Sequence, residues 1–365
     1  MAFAAPRSSI DHAGYADAVL EEFRARYDSL PPRTLTSVFF GGGTPSLWEP
    51  HELARVLSAI IDAFSADAEG LEVSVESDPS SMDGELARAL LDAGVNRLSI
   101  GVQALDDERL RFLGRIHSKA EAIEAVRGAV GAGVPRISTD LMYAVAEQTP
   151  QVAAREARQL VDLGASHVSA YGLTIEPDTP FGQLARRGKL PLYDESAMAA
   201  AFFAIDDALT DAGLQHYEVS NYAVPGQMAR HNLGYWRGQD YLGLGCGAYG
   251  TLTTAGGIAR RYRNQSNPRA YLSRVADGPD ALAVFEEVLD PATRLRERIM
   301  LGLRLKEGLD LEAAATQLGT DPYPGDRRNA LAVMEARGRI IRRGSHIFVP
   351  RDAWIWADDT AASLF

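Results

Sequence analysis

Leu91-Asp-Ala-Gly-Val-Asn-Arg-Leu-Ser99 closes an amphipathic helix on a glycine and opens an apolar strand a few residues later. The same junction recurs as Val130-Gly-Ala-Gly-Val-Pro-Arg-Ile-Ser138, Val161-Asp-Leu-Gly-Ala-Ser-His-Val-Ser169 and Thr210-Asp-Ala-Gly-Leu-Gln-His-Tyr-Glu-Val-Ser220. Gly94, Gly133, Gly164 and Gly213 each stand where a chain leaving a helix turns left-handed, a conformation that glycine reaches without a Cβ penalty. Helix, glycine, strand is therefore the repeat unit.

Working outward, Leu53, Val56, Leu57, Ile60, Ile61 and Phe64 form a helical stripe, Ser118 with Glu121 reads as a capping box, and Thr149-Pro150 as an N-cap and first helical residue. Strands are expected at 37–41, 71–76, 97–102, 136–141, 167–171 and 217–220. Read as apolar on both faces and alternating with helices, they predict a parallel sheet covered by helices, with five or six βα units by Tyr222. Glu76, Gln103, Asp140 and Glu176 fall at or just beyond the C-terminal ends of four strands. Polar residues gathered from many strand ends suit the mouth of a full or partial (β/α) barrel rather than the single switch point of a doubly wound sheet.

After Tyr222 the texture changes to Gly-rich and aromatic sequence, followed by a basic stretch from Arg260 to Arg274. Helices at 293–305, 311–318 and 327–337, then a hairpin turning at Gly344-Ser345, give the tail the pattern of a small winged-helix-like unit. The division read from these shifts is a barrel at 1–225, a Gly/aromatic segment at 226–285 that completes the core, and a C-terminal accessory domain at 286–365.

With 46% hydrophobic and 24% charged residues in 365, the chain has globular composition. Its net charge of −12 supplies no diffuse positive field for a nucleic-acid backbone, so the winged-helix pattern is read as a packing or lid domain and no nucleic-acid partner is expected. The single cysteine, Cys246, excludes an intramolecular disulfide and fits a reducing cytoplasm. Met1–Ser9 lacks the basic start and apolar run of a signal peptide, and no stretch approaches the ~20 apolar residues of a membrane span.

Three clusters carry chemistry. Phe39-Phe-Gly-Gly-Gly-Thr-Pro-Ser46 follows a strand with three glycines, letting backbone approach a small zwitterion or phosphate, although a tight βα turn explains it equally. With no following lysine it is not a P-loop. Glu76, Gln103, Arg115 and Asp140 form a polar set fit to hold an amino acid and a ribose, with a surface ion pair the blander reading of Arg115. His231-Asn-Leu-Gly-Tyr-Trp236 offers an imidazole as an iron ligand and aromatic faces for a flat macrocycle, against a simply hydrogen-bonded histidine. Cys246 reads as a small buried residue, with a thiolate ligand as the alternative.

Taken together, Gly41-Gly-Gly-Thr-Pro-Ser46, Glu76-x-x-Pro79, Gly94-Val-Asn-Arg-Leu-Ser-Ile-Gly-Val-Gln103, Leu113-Gly-Arg-Ile-His117, Asp140-Leu-Met142, Ser169-Ala-Tyr-Gly-Leu-Thr-Ile-Glu-Pro-Asp-Thr179 and His231-Asn-x-x-Tyr-Trp236 occur in one order. In that order they resemble the radical S-adenosylmethionine (SAM) family of the heme chaperone HemW and oxygen-independent coproporphyrinogen III oxidase. The resemblance runs from about Tyr15 to the tail. It implies an α/β fold, a partial TIM-like (β/α) radical SAM barrel with a C-terminal helical, winged-helix-like domain. It also implies SAM binding by Gly42, Gly43, Thr44, Glu76, Gln103, Arg115 and Asp140, and heme binding by His231, Asn232, Tyr235 and Trp236, with His231 the favoured iron-site residue. The HNxxYW motif points to the chaperone branch, which delivers heme to acceptor proteins and meets membranes only through partners. The alternatives are an oxidase that decarboxylates two propionates with SAM, and a cluster-free heme or SAM binding module.

The sequence departs from that family in one large respect. The family carries CxxxCxxC ahead of its Gly-rich motif, three thiolates for a [4Fe–4S] cluster, and this chain has one cysteine in all. The first barrel strand is expected to be missing with them. Loss of both together fits a truncated reading of a normal gene better than a relative without a redox centre, since a barrel lacking a strand exposes a sheet edge. A smaller departure lies in Tyr143-Ala-Val-Ala-Glu-Gln-Thr149, where the family has Gly and Pro at the positions of Ala144 and Ala146.

Overall fold

A computed structural model describes residues 11–145, 147–188, 190 and 193–365; the expectations for Met1–Ser9 and for Ala146 lie outside them. Five strands, β1 (Ser37–Phe40), β2 (Glu72–Ser77), β3 (Arg97–Gln103), β4 (Arg136–Tyr143) and β5 (His167–Gly172), pair in parallel in sequence order, with a helix in every crossover. The capping box at Ser118 and the Thr149 N-cap form as read, and Gly94, Gly133, Gly164 and Gly213 have φ of 95°, 79°, 106° and 88°.

The sixth unit differs from the expectation. Gln215–Glu218 (β6) turns back at Val219-Ser220 into Asn221–Ala223 (β7), and β7, not β6, joins β5, in antiparallel register. The outer side of β6 is taken by residues 304–306: the Val219 amide donates to Arg304 O at 3.0 Å and the Lys306 amide to Tyr217 O at 3.0 Å. The C-terminal region thereby closes this edge of a seven-stranded, partly closed sheet in the order β1-β2-β3-β4-β5-β7-β6.

A second difference concerns the faces of the strands. Paired residues in a parallel ladder share a face, so Glu76, Ser99, Ser138 and His167 form one row, and Asp140, Ser169 and Asn221 the next. The alternate positions, among them Val75, Leu98, Ile100, Leu141 and Val168, are fully buried against the helices in the main core. The strands are buried on both sides yet apolar on one only. The inner polar face tolerates burial because its charges are paired there: Glu72 takes the Arg97 Nε–H at 3.1 Å, and Arg97 Nη1 donates to Ser138 Oγ at 2.8 Å.

A second sheet was not anticipated. Strands β8 (Tyr249–Thr253), β9 (Ala259–Asn264) and β10 (Ala283–Leu289) form an antiparallel meander, and β10 runs through residues 285 and 286, where the sequence texture changes. Its middle strand, Ala-Arg-Arg-Tyr-Arg-Asn, carries too many arginines to read as a strand. Helix His12–Tyr27 is pinned to this part of the molecule by the buried Glu22, which accepts from Arg26 Nε at 2.7 Å, Asn264 Nδ2 at 2.7 Å, Gly245 N at 2.8 Å and the Tyr271 hydroxyl at 2.8 Å. The tail is winged-helix-like: β11 (Leu309–Asp310), β12 (Ile341–Arg343) and β13 (His346–Phe348) pair in the order β11-β13-β12 beside helices Pro291–Gly302, Leu311–Leu318 and Arg327–Ala336. Among the described residues no helix is long and apolar enough to cross a membrane.

Candidate functional site

The polar inner face of the barrel ends in a small cavity of ≈ 110 Å³ whose lining includes Phe39, Glu76, Asp140, Ser169, His231 and Asn232. At its rim β1 gives way after Phe40 to the glycine loop, with Gly42 and Gly43 at φ of 79° and 68° and open space where a Cβ would stand. The Gly42 amide donates to Glu76 Oε2 at 2.9 Å, which ties the loop to the end of β2. Thr44 follows in extended conformation and starts the short turn Pro45–Leu47.

Asp140 lines this cavity where burial disfavours its charge without abolishing it at neutral pH. Burial raises its carboxyl to about 6, with the Glu76 charge adding to the rise and a Ser169 hydrogen bond and the Arg115 charge opposing it. Arg115 is therefore no surface ion pair: its Nε is buried without a hydrogen-bond partner, on the Asp140 side of the site. Gln103 stands at the end of β3 in a strained turn, with φ of 66° and the Ala104 amide bonded across it to Val102 O at 2.8 Å. Its side chain lies over Gly101, where a Cβ would meet Gln103 Nε2 at 2.9 Å. Nearby, burial would raise Asp78, but the His117 ring 3.7 Å away and hydrogen bonds from Ser80 N and Oγ hold it at about 2. Glu176 lies exposed beyond β5, away from the cavity.

The HNxxYW residues divide between two cavities. Helix Arg230–Trp236 is anchored by the His231 amide, which donates to Glu72 Oε1 at 3.1 Å. The His231 ring faces the small cavity, stacked on Phe39 at 4.3 Å and 5°, and burial lowers it to about 4, so it is a neutral imidazole at neutral pH. Tyr235 and Trp236 instead line a larger cavity of ≈ 630 Å³, which shares Asn232 and Tyr171 with the first. Tyr235 packs edge-on to Tyr241 at 4.6 Å, the Arg304 guanidinium lies 5.2 Å from the Trp236 ring, and Trp236 Nε1 is buried without a partner. The sequence analysis did not find a further part of the lining, where helix Pro291–Gly302 contributes Arg294, Arg298 and Met300. Its signal was two arginines four residues apart.

The residues present fit two of the three groups implied by the resemblance. An open glycine loop, two carboxylates and a buried, unpartnered guanidinium nitrogen suit a zwitterionic nucleoside such as SAM. A cavity of ≈ 630 Å³ with Tyr171, Tyr235, Trp236 and Tyr241 in its lining and an orphaned indole N–H suits a flat macrocycle. The residues do not fit an iron–sulfur cluster: Cys246 is the single cysteine, its Sγ contacts Ser266 O at 3.0 Å, and burial raises its pKa, so it is held as a thiol. Among the described residues no group of three or more His, Cys, Asp or Glu is placed to hold a metal ion.

Comparison with known proteins bears on the family and the fold. The radical SAM superfamily model matches residues 10–160 and the HemN C-terminal domain model residues 289–356. The chain is 39% identical to the heme chaperone HemW of Haemophilus influenzae over 272 residues, covering 73% of this chain and 70% of that one. It is 34% identical to HemW of Mycobacterium tuberculosis over 334 residues, covering 89% and 83%. Among solved structures, coproporphyrinogen III oxidase (HemN) of Escherichia coli has the same fold, with a TM-score of 0.77 at 20% identity over 97% of this chain and 83% of that one. The barrel, the tail domain and these identities together place the chain in the HemW/HemN-like radical SAM family.

Proposed function

We propose that this protein is a HemW-like heme chaperone that binds heme in the ≈ 630 Å³ cavity and passes it to acceptor proteins. The observation that carries the reading is the joint lining of that cavity by Asn232, Tyr235 and Trp236 of the HNxxYW helix and the apolar Met300 and Leu301. A planar macrocycle gains by burying its faces against such a wall. His231, neutral at physiological pH and adjacent through Asn232, is the candidate iron ligand; to reach the larger cavity its ring leaves Phe39.

SAM is proposed to sit at the barrel mouth. Gly42, Gly43 and Thr44 would take its methionine end, Glu76 its ammonium, and Gln103, Arg115 and Asp140 its ribose and neighbouring atoms. When bound, SAM supplies a sulfonium whose positive charge the two carboxylates accommodate. No reaction step through a cluster follows from these residues, which supply no thiolate set. The single cysteine supports a reducing cytoplasm as its location, and the acidic chain supports protein rather than nucleic-acid partners, any membrane contact being through them.

Heme titration followed in the Soret region tests the chaperone reading. The protein is expected to give a saturable shift, weakened by Trp236→Ala and altered in ligand-field bands by His231→Ala. Absence of any Soret change, or variants identical to the parent, would sink it. Formation of protoporphyrinogen from coproporphyrinogen III under anaerobic reducing conditions would instead favour the oxidase.

A further inference from the structure

The larger cavity has an electrostatic end that neither the motif nor its aromatic wall explains. In a chain of net charge −12, four arginines and one glutamate line it. Two of the four are neutralised within the protein: Arg261 pairs with Glu297 at 2.9 Å and Glu287 at 3.5 Å, and Arg304 with Asp358 at 2.6 Å. Arg294 and Arg298 have only the Asp240 charge to answer them both. Arg294 reaches Asp240 only at 3.9 Å, and that carboxylate already holds Arg33 at 2.8 Å and accepts from Thr253 N and Oγ1 at 2.7 and 2.8 Å. Arg298 has no ion pair among the described residues, and its one side-chain contact is a long 3.4 Å approach to Gln317 Oε1. Burial and the neighbouring Arg294 both lower its pKa.

Two arginines at i and i+4 repel on one helix face, an arrangement that costs stability unless an anion lies between them. The surrounding chain keeps them there. Gly238, two residues after the HNxxYW helix, leaves room for the Arg298 stem, and a Cβ at that position would stand 2.7 Å from Arg298 Cδ. The aromatic residues of the motif line the same cavity. One ligand chemistry answers both ends: a flat apolar body with two carboxylates on one edge.

We infer that Arg294 and Arg298 form a carboxylate clamp that takes the two propionates of a tetrapyrrole whose macrocycle lies against Tyr235 and Trp236. The inference rests on the heme reading and deepens it by naming the recognised side chains. Guanidinium groups suit this task because each presents paired N–H donors to a carboxylate. The clamp also sets the orientation of the macrocycle, propionates toward helix Pro291–Gly302, and makes discrimination depend on the side-chain carboxylates rather than on the iron.

The test uses iron-free protoporphyrin IX and its dimethyl ester, titrated by fluorescence into the full chain in the same detergent, so that iron ligation plays no part. The diacid is expected to bind roughly tenfold or more tightly than the ester. Arg294→Ala/Arg298→Ala is expected to lose that preference with an unchanged or raised melting temperature, since it removes a repulsion, while Arg294→Lys/Arg298→Lys keeps part of it. Equal binding of diacid and ester by the parent protein would overturn the clamp while leaving the heme reading standing, and needs no variant to fold. A preference surviving in the double alanine variant would overturn it too. Binding of neither porphyrin, together with a silent heme titration, would remove the heme reading and the clamp with it.

Discussion

The Gly42 amide and the Glu76 carboxylate, 34 residues apart, meet at 2.9 Å and fix the glycine loop to the end of β2. A loop with two successive left-handed glycines has little else to hold it, because neither residue has a side chain to pack. Glu76→Ala is therefore expected to speed amide exchange at Gly42 and Gly43 and to cost about 1 kcal/mol of stability, while Glu76→Gln, which keeps an acceptor, exchanges at nearly the parent rate. Hydrogen exchange read by mass spectrometry over residues 39–47 checks this. An unchanged rate in the alanine variant would mean that the loop is held otherwise.

Gln103 is expected to trade stability for its position. A non-glycine residue at φ of 66° inside a tight turn carries roughly 1 kcal/mol of strain. Gln103→Gly should unfold in urea at the parent midpoint or above it, because strain relief offsets the extra backbone entropy of glycine. SAM binding followed by isothermal titration calorimetry should weaken in the same variant. A large loss of stability would instead make Gln103 a structural residue.

Asp140 gives a pH-dependent prediction. Its carboxyl is raised to about 6 from an ordinary 3.8, so between those values the folded protein holds a proton that the unfolded chain has released. Stability from this group is then present below about pH 4 and is lost as pH rises through 6. Asp140→Asn removes the titration and is expected to be more stable than the parent by about 1–2 kcal/mol at pH 7, with no gain at pH 4. Urea denaturation at both pH values distinguishes this from a gain that is equal at each.

Glu72 joins two parts of the site, accepting from Arg97 Nε at 3.1 Å and from the His231 amide at 3.1 Å, with Glu72 and Arg97 both buried. Removing one member leaves the other charge buried. Glu72→Ala and Arg97→Met are each expected to cost about 3 kcal/mol, and the double variant less than the sum. A double-mutant cycle in urea measures it, and near-ultraviolet circular dichroism should report disturbance of the HNxxYW aromatics in the Glu72 variant. Additive losses would show that the pair is not coupled.

Several features were legible before any coordinates. The helix–Gly–strand junctions, the capping box at Ser118, the hairpin at Gly344-Ser345 and the HNxxYW motif depend on neighbours a few residues away, and each formed where the sequence puts it. The reversal at Val219-Ser220 did not show itself, because β6 is an acceptable parallel strand by composition and is turned by its bonds to residues 304–306. The arginine-rich β9 was hidden for a similar reason. Its charges are answered by partners from other segments, such as Glu297 for Arg261.

The sequence by itself determined the family, the order of the βα units and the membership of a polar set from Gly42 to Asp140, since local spacing and short motifs carry that information. Only the tertiary structure decided which polar residues share a cavity. Strand register set Glu76 and Asp140 on one inner face, the fold of the Arg230–Trp236 helix sent His231 to one cavity and Trp236 to the other, and helix Pro291–Gly302, some sixty residues further on, supplied Arg294 and Arg298 to the larger one. A cavity is a property of surfaces brought together by packing, and no spacing along the chain encodes the distance across it.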